Sequence, residues 1–244
     1  MKNLKKALVL LLCAILLIVG SVMGTLAYLT SQDTVKNTFT VGDIVINLDE
    51  ANVATVDDDD DRTEVGNAYH MLPNQTYTKD PTVWVKEGSE ESYIRMIVTV
   101  EKYDMLKKAF DSSAAYDDGY IVKAADVLGA ASTGDMVVLD NIVDRNAGAW
   151  QCVKFTEVGT VGTYEFRYFP GTYTATADDK DGVEDFDMLP ALFTKITVPA
   201  EIDNEHLGYL NGVEITVAAH AIQAAGFENA DAAWTAFDQQ TATP

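Results

Sequence analysis

Cysteine, histidine and positive charge are all scarce in this chain. Two cysteines stand among 244 residues. Cys13 lies in the apolar stretch that opens the chain, so a processed product keeps Cys152 alone and can form no intramolecular disulfide. A framework of bridges, the usual support of small secreted domains, is thereby excluded, and the body must rely on its core. Cys152 sits beside Trp150 in a strand-like run and reads as a packed thiol rather than a reactive one. The three histidines, His70, His206 and His220, are scattered. Hydrolytic zinc wants three protein ligands, often two His one helical turn apart with a Glu between, and no H-E-x-x-H occurs. A G-x-S-x-G nucleophile motif is missing as well, and no glycine-rich phosphate loop precedes a helix. Lys and Arg number 17 against 38 Asp and Glu, a net charge of −21. Such a field repels nucleic acid and anionic surfaces, so no nucleic-acid partner is expected. With so many acids, carboxylate pairs arise by coincidence and identify no glycosidase. Residue types and spacing therefore point away from an enzyme.

What the chain does have begins at its first residues. Lys2, Lys5 and Lys6 precede an apolar run without charge from residue 7 to about residue 24, and Thr25-Leu26-Ala27 puts small residues at −3 and −1. A basic segment, an apolar segment and a small-residue site make a secretory signal peptide over residues 1–27, cut between Ala27 and Tyr28. Left uncut, residues 7–29 are long enough to span a bilayer, so contact with a membrane is expected only through this segment. Cleavage removes three lysines and no acid, which moves the net charge to −24. The processed product is expected outside the cell, in an extracellular matrix or on the cell surface.

Beyond the cut, residues 28–39 form a short lead and residues 40–244 one β-domain. Ile44, Ile46 and Leu48 alternate in a first strand. Asp57 to Asp61, five aspartates in a row, repel one another and mark a solvated loop. Thr82–Lys86 and Ser92–Lys102 have period two. In the latter, Ile94, Met96, Val98 and Val100 share one face, and Tyr93, Arg95, Ile97 and Thr99 share the other, with Arg95 expected outward. The spacing of Tyr103, Leu106 and Phe110 predicts a short helix. Strands are predicted at 120–123, 136–143, 150–158, 161–169, 192–199 and 212–223, with Gly159-Thr160 as a hairpin turn. A helical turn is expected at 203–206, and a surface helix over 229–238 with Trp234 or Phe237 docked. Tyr164, Phe166 and Tyr168 have the spacing of a carbohydrate-binding row, but apolar aromatics at period two more often fill a core. Asp178, Asp179 and Asp181 form the loop best suited to Ca²⁺. An EF-hand count fails, because it puts Ala177 first and Met188 twelfth, where acids are needed, and no cofactor is expected. The many short strands with turn punctuation predict a mostly β fold, a two-sheet jelly-roll-like sandwich with short peripheral helices behind a signal peptide.

Several blocks carry a resemblance: G-T-L-A-Y-L-T at 24–30, N-T-F-T-V-G-D-I at 37–44 with I-N-L at 46–48, L-P-N-Q-T-Y-T-K-D-P-T-V-W-V-K at 72–86, S-Y-I-R-M-I-V-T-V at 92–100, L-F-T-K-I-T-V-P at 192–199 and N-G-V-E-I-T-V-A-A-H-A-I-Q at 211–223. In order and spacing they resemble the TasA/camelysin family of exported Gram-positive proteins. The resemblance implies a jelly-roll sandwich, release by a dedicated signal peptidase (SipW), and extracellular fibres of a biofilm matrix, with an accessory matrix protein as a possible partner. It implies filament growth by donor-strand exchange, in which the new N-terminal strand pairs with the next subunit. Tyr28, Leu29, Val35 and Phe39 are the side chains placed to act as plugs. The camelysin branch has been classed with metallopeptidases, which makes a surface metallopeptidase the alternative, with a carbohydrate-binding surface module as the other.

Overall fold

Ser92–Glu101, with the cleanest alternation in the chain, becomes the strand about which the core is built. The computed structural model describes residues 42–54, 61–111, 120–137, 142–176 and 185–241. In chain order the elements are β1 (Ile46–Ala51), β2 (Arg62–Thr63), β3 (Thr76–Thr78), β4 (Thr82–Lys86), β5 (Ser92–Glu101), α1 (Tyr103–Ala109), β6 (Ile121–Lys123), α2 (Ala124–Leu128), β7 (Asp135–Val137), β8 (Trp150–Val158), β9 (Val161–Tyr173), β10 (Phe186–Met188), β11 (Lys195–Thr197), α3 (Asn204–Tyr209), β12 (Glu214–Gln223) and α4 (Ala230–Thr241). The fold is mostly β, with short helices and wholly antiparallel pairing. One sheet has the order β12-β5-β9-β8 and another β10-β4-β1-β2, accompanied by the pairs β11-β3 and β6-β7.

Period-two alternation translates directly into burial. Ile94, Met96, Val98 and Val100 of β5 are buried together with Tyr164 and Phe166 of β9 and with Val83 and Val85 of β4. Both four-stranded sheets thus contribute to one hydrophobic cluster. Tyr164 and Phe166 are core residues, which removes the exposed aromatic row that a carbohydrate site would need. β12 matches β5 along its whole length, from Glu214 opposite Glu101 to Gln223 opposite Ser92. β8 and β9 form the predicted hairpin, with Gly159 at φ 62° in the left-handed turn. A register shift between Cys152 and Lys154 changes the phase of β8. Trp150 faces the core before the shift and Phe155 after it, as an inserted residue requires. Cys152, beside the shift, is half-buried against the core rather than enclosed.

α1 starts where the apolar spacing changes from two to helical, and Lys102 turns the chain with φ 53°. Tyr103, at its first position, is fully buried. Its hydroxyl lies 2.9 Å from that of Tyr164 and accepts the Val137 N–H at 2.6 Å. Tyr164 in turn donates to the Val137 carbonyl at 3.1 Å. Burial pushes the Tyr103 hydroxyl up to about 12 and Tyr164 well above the usual range. Gly162 lies under the Tyr103 ring, where a Cβ would stand 2.5 Å from Cδ2. Only a residue without a side chain leaves room for that contact.

Two predicted strands are shorter than their apolar runs. The run at 192–199 gives only β11, because Leu192 and Phe193 enter the core outside any ladder. The run at 136–143 gives β7 up to Val137, and Val143 forms an isolated bridge with Ile196; residues 138–141 lie outside the described residues.

Candidate functional site: the seam between β1 and β12

The two lips of this seam are strands that lie side by side without pairing. β12 is hydrogen-bonded to β5 on one side and, among the described residues, to no strand on the other. Residues Ile46 to Asp49 of β1 pair with β4, while β2 reaches only Glu50 and Ala51. The apolar side chains here are incompletely covered. Ile46 and Leu48 from β1, and Ile215, Val217, Ala219 and Ala221 from β12, pack against the core while only partly buried. By contrast Val83, Val85, Met96 and Val98 are at most 2% exposed. Among the described residues the core is closed at the centre of both sheets and only partly covered along this edge. Unpaired N–H and C=O groups beside half-covered apolar side chains are what an added strand recognises.

Two polar clusters flank the seam. On the outer face of β5, sequence reading placed Arg95 in solvent, and the structure corrects this: Arg95 is 4% exposed. α4 covers it. Asn229 caps this helix by accepting the Ala232 N–H at 3.0 Å, as a capping Asn should. The apolar side of the helix lays Trp234 and Phe237 on the guanidinium, at 4.3 and 5.1 Å to the ring centroids. Arg95 Nη2 donates to Asp238 Oδ1 at 2.5 Å and Nε donates to His220 Nδ1 at 3.2 Å. Alongside, Arg167 pairs with Asp231 of the helix and with Glu165 of its own strand. The Arg95 hydrogen bond holds the Asp238 carboxyl below its ordinary range. Desolvation, then the Arg95 charge, lowers His220.

The second cluster lies at the C-terminal end of β1. Lys79 Nζ donates to Glu50 Oε2 at 2.6 Å, with both side chains about nine-tenths buried. Asn67 Nδ2 donates to the second oxygen of that carboxylate, Oε1, at 3.0 Å and to the Ala51 carbonyl at 2.8 Å. Asn67 Oδ1 accepts the Val53 N–H at 3.0 Å. Around them, Arg62 bridges Asp49 and Asp80, each at 2.8 Å, and Trp84 Nε1 donates to Asp49. Tyr69, close by, has its hydroxyl pushed up to about 12 by burial and by the Glu50 charge. No sequence motif announced this cluster; a lysine, a glutamate and an asparagine in loop and strand margins carry no periodic signal.

The predicted site residues fall as follows. Ala27, Tyr28, Leu29, Val35 and Phe39, and the acidic Asp178, Asp179 and Asp181, lie outside the described residues. The histidines are not brought together. His70 is exposed in the loop before β3, His206 on α3 has its Nδ1 2.8 Å from Asp203 Oδ1, and His220 on β12 stacks on Phe237 at 5.0 Å. Among the described residues no three His, Cys, Asp or Glu side chains are grouped so as to hold a metal ion. Compared with known protein families, with curated proteins and with solved structures, the chain finds no match.

Proposed function

We propose that this chain is an exported structural protein of the TasA/camelysin type, a matrix-fibre subunit that grows by N-terminal donor-strand exchange. In this reading the mostly β body is a two-sheet jelly-roll-like sandwich. A dedicated signal peptidase frees Tyr28, residues 28–39 of one copy enter the seam between β1 and β12 of the next, and an accessory matrix protein is a further partner of the fibre. The observation that supports it is the seam itself: two neighbouring strand edges, each hydrogen-bonded on one side, above apolar side chains left half-covered. Dimensions agree. The ten residues of β12 extend about 33 Å and a twelve-residue donor about 40 Å. A head-to-tail contact of this kind does not close on itself and so makes a filament.

The energetics favour regulated rather than spontaneous growth. Four plugs, Tyr28, Leu29, Val35 and Phe39, contribute roughly 6–12 kcal/mol in gross burial. Association and ordering cost about 4–15 kcal/mol, and strand hydrogen bonds add about 1 kcal/mol each. Repulsion between subunits of charge −24 opposes contact further, so salt should promote fibres. The test is negative-stain microscopy of secreted protein, whose mass should begin at Tyr28, beside a variant lacking residues 28–37. The mature chain should form fibres, and the deletion should stay a folded, soluble monomer. Fibres from the deletion variant equal to those of the mature chain would refute donor-strand assembly.

A further inference from the structure

We propose that Lys79 and Asn67 are the reacting partners of an intramolecular isopeptide bond, with Glu50 as the proton carrier between them. One carboxylate, about nine-tenths buried, holds a primary amine on one oxygen and a carboxamide nitrogen on the other, at 2.6 and 3.0 Å. Buried lysines are rare, and a buried ammonium–carboxylate pair gives up both charges when the proton moves to the acid. That transfer leaves Lys79 as a free amine, the nucleophilic form. The amine attacks Cγ of Asn67. The developing oxyanion on Oδ1 already has a donor, the Val53 N–H at 3.0 Å, in the role of backbone donors that stabilise tetrahedral intermediates. Glu50 Oε1, now facing Asn67 Nδ2, delivers the proton to that nitrogen. The Cγ–Nδ2 bond breaks once the Nζ–Cγ bond has formed, and the second amine proton passes through the carboxylate to the departing ammonia, which leaves as ammonium. Nothing is oxidised or reduced, and Glu50 is regenerated.

The orientation of the Asn67 amide is fixed on both sides, since Nδ2 also donates to the Ala51 carbonyl and Oδ1 accepts from Val53. A flipped amide would break both contacts. The leaving nitrogen therefore faces the proton carrier, as the reaction requires. The neighbouring carboxylates have their own partners: Asp80 and Asp49 share Arg62, and Asp49 also accepts from Trp84 Nε1. Glu50 is thus left to Lys79 and Asn67. Of the polar clusters in the fold, this one combines nucleophile, electrophile, proton carrier and oxyanion donor.

The experiment is a mass measurement on the purified full chain as exported, followed by a tryptic map. Arg62 and Lys79 bound a peptide that contains Asn67, with Lys86 the next cleavage point. A bonded Lys79 resists trypsin, so one peptide from Thr63 to Lys86 is expected, lighter by one ammonia and without fragments between Asn67 and Lys79. Lys79→Arg and Glu50→Gln variants should each show the full sequence mass. Cleavage after Lys79 with an unmodified Asn67 in the wild-type map would overturn the proposal, and needs no variant to fold. Loss of ammonia that persists in Lys79→Arg would equally overturn it, by assigning the loss to another group. A bond that still forms fully in Glu50→Gln would remove Glu50 from the role given to it here.

Discussion

Replacing Arg95 by alanine should detach α4 from the sheet, and the structure sets the size of the effect. The side chain is 5% exposed and reaches Asp238, His220 and Glu165, the last at 3.8 Å, beneath the rings of Trp234 and Phe237. Breaking a buried ion pair by removing one partner costs about 3–5 kcal/mol, and the cation–aromatic contact adds about 0.5–2 kcal/mol. Two features lower that sum. Asp238 is 60% exposed and returns to water, and Glu165 keeps Arg167 at 2.7 Å. A net loss of about 2–4 kcal/mol follows, or roughly 4–16 °C in Tm for a domain of this size. Urea unfolding and limited proteolysis of the C-terminus are the assays. Arg95→Lys should fall between wild type and alanine, because an ammonium keeps the charge but cannot lie flat against the rings. An Arg95→Ala protein that melts with the wild type, its C-terminal helix equally resistant to protease, would refute the clamp.

Gly162→Ala should destabilise the fold by about 1–3 kcal/mol in urea titration, since the added Cβ meets the Tyr103 ring and that ring is pinned by Tyr164 and Val137. Stability should fall in two stages as pH is lowered, first below 6.5 through His220 and then below 3.8 through two carboxylates. Asp238 is held below its ordinary range by Arg95, and Asp144 is also lowered, burial there being outweighed by hydrogen bonds from the Thr194 hydroxyl and the Thr194 and Lys195 N–H groups. Both carboxylates give stability that is full above their unfolded values near 3.8 and lost as the folded values are passed. His220, lowered by desolvation and by Arg95, adds a loss that sets in as pH drops below 6.5, because the unfolded chain takes the proton first. Thermal melts across this range should show the decline, and a His220→Gln variant should lack its upper part.

How much of this was legible in the sequence depends on whether a feature is carried by one element or by two. Alternation in Ser92–Glu101 fixes which side chains face inward, and the structure keeps every one of them. The helices at Tyr103 and Ala230 follow from a change of period and from an Asn cap, both local signals. What covers a face is not local. Arg95 looked solvent-facing because its strand neighbours Tyr93, Ile97 and Thr99 give no sign of a lid, and its partners His220 and Asp238 stand 125 and 143 residues away. The Glu50 cluster was hidden for the same reason. Lys79 is 29 residues from its carboxylate and Asn67 is 17, and each alone reads as an ordinary loop residue.

The open seam is a further case in which pattern and outcome part. Val213, Ile215, Val217 and Ala219 alternate as regularly as the residues of β5, so periodicity treats β12 as an equally buried strand. It is the order of strands, not their pattern, that places β12 at an edge, and order is decided by pairing between segments far apart in the chain. An edge strand with a core-grade apolar face forgoes part of its burial, since its inner side chains remain partly in water at about 25 cal/mol for each Å² left uncovered. Natural edges are usually blunted by charge, proline or a bulge. The core-side row of β12 contains none of the three between Val213 and Ala221. A strand laid along β12 would cover those side chains, which is what the proposed donor-strand exchange asks of residues 28–39 of a neighbouring copy.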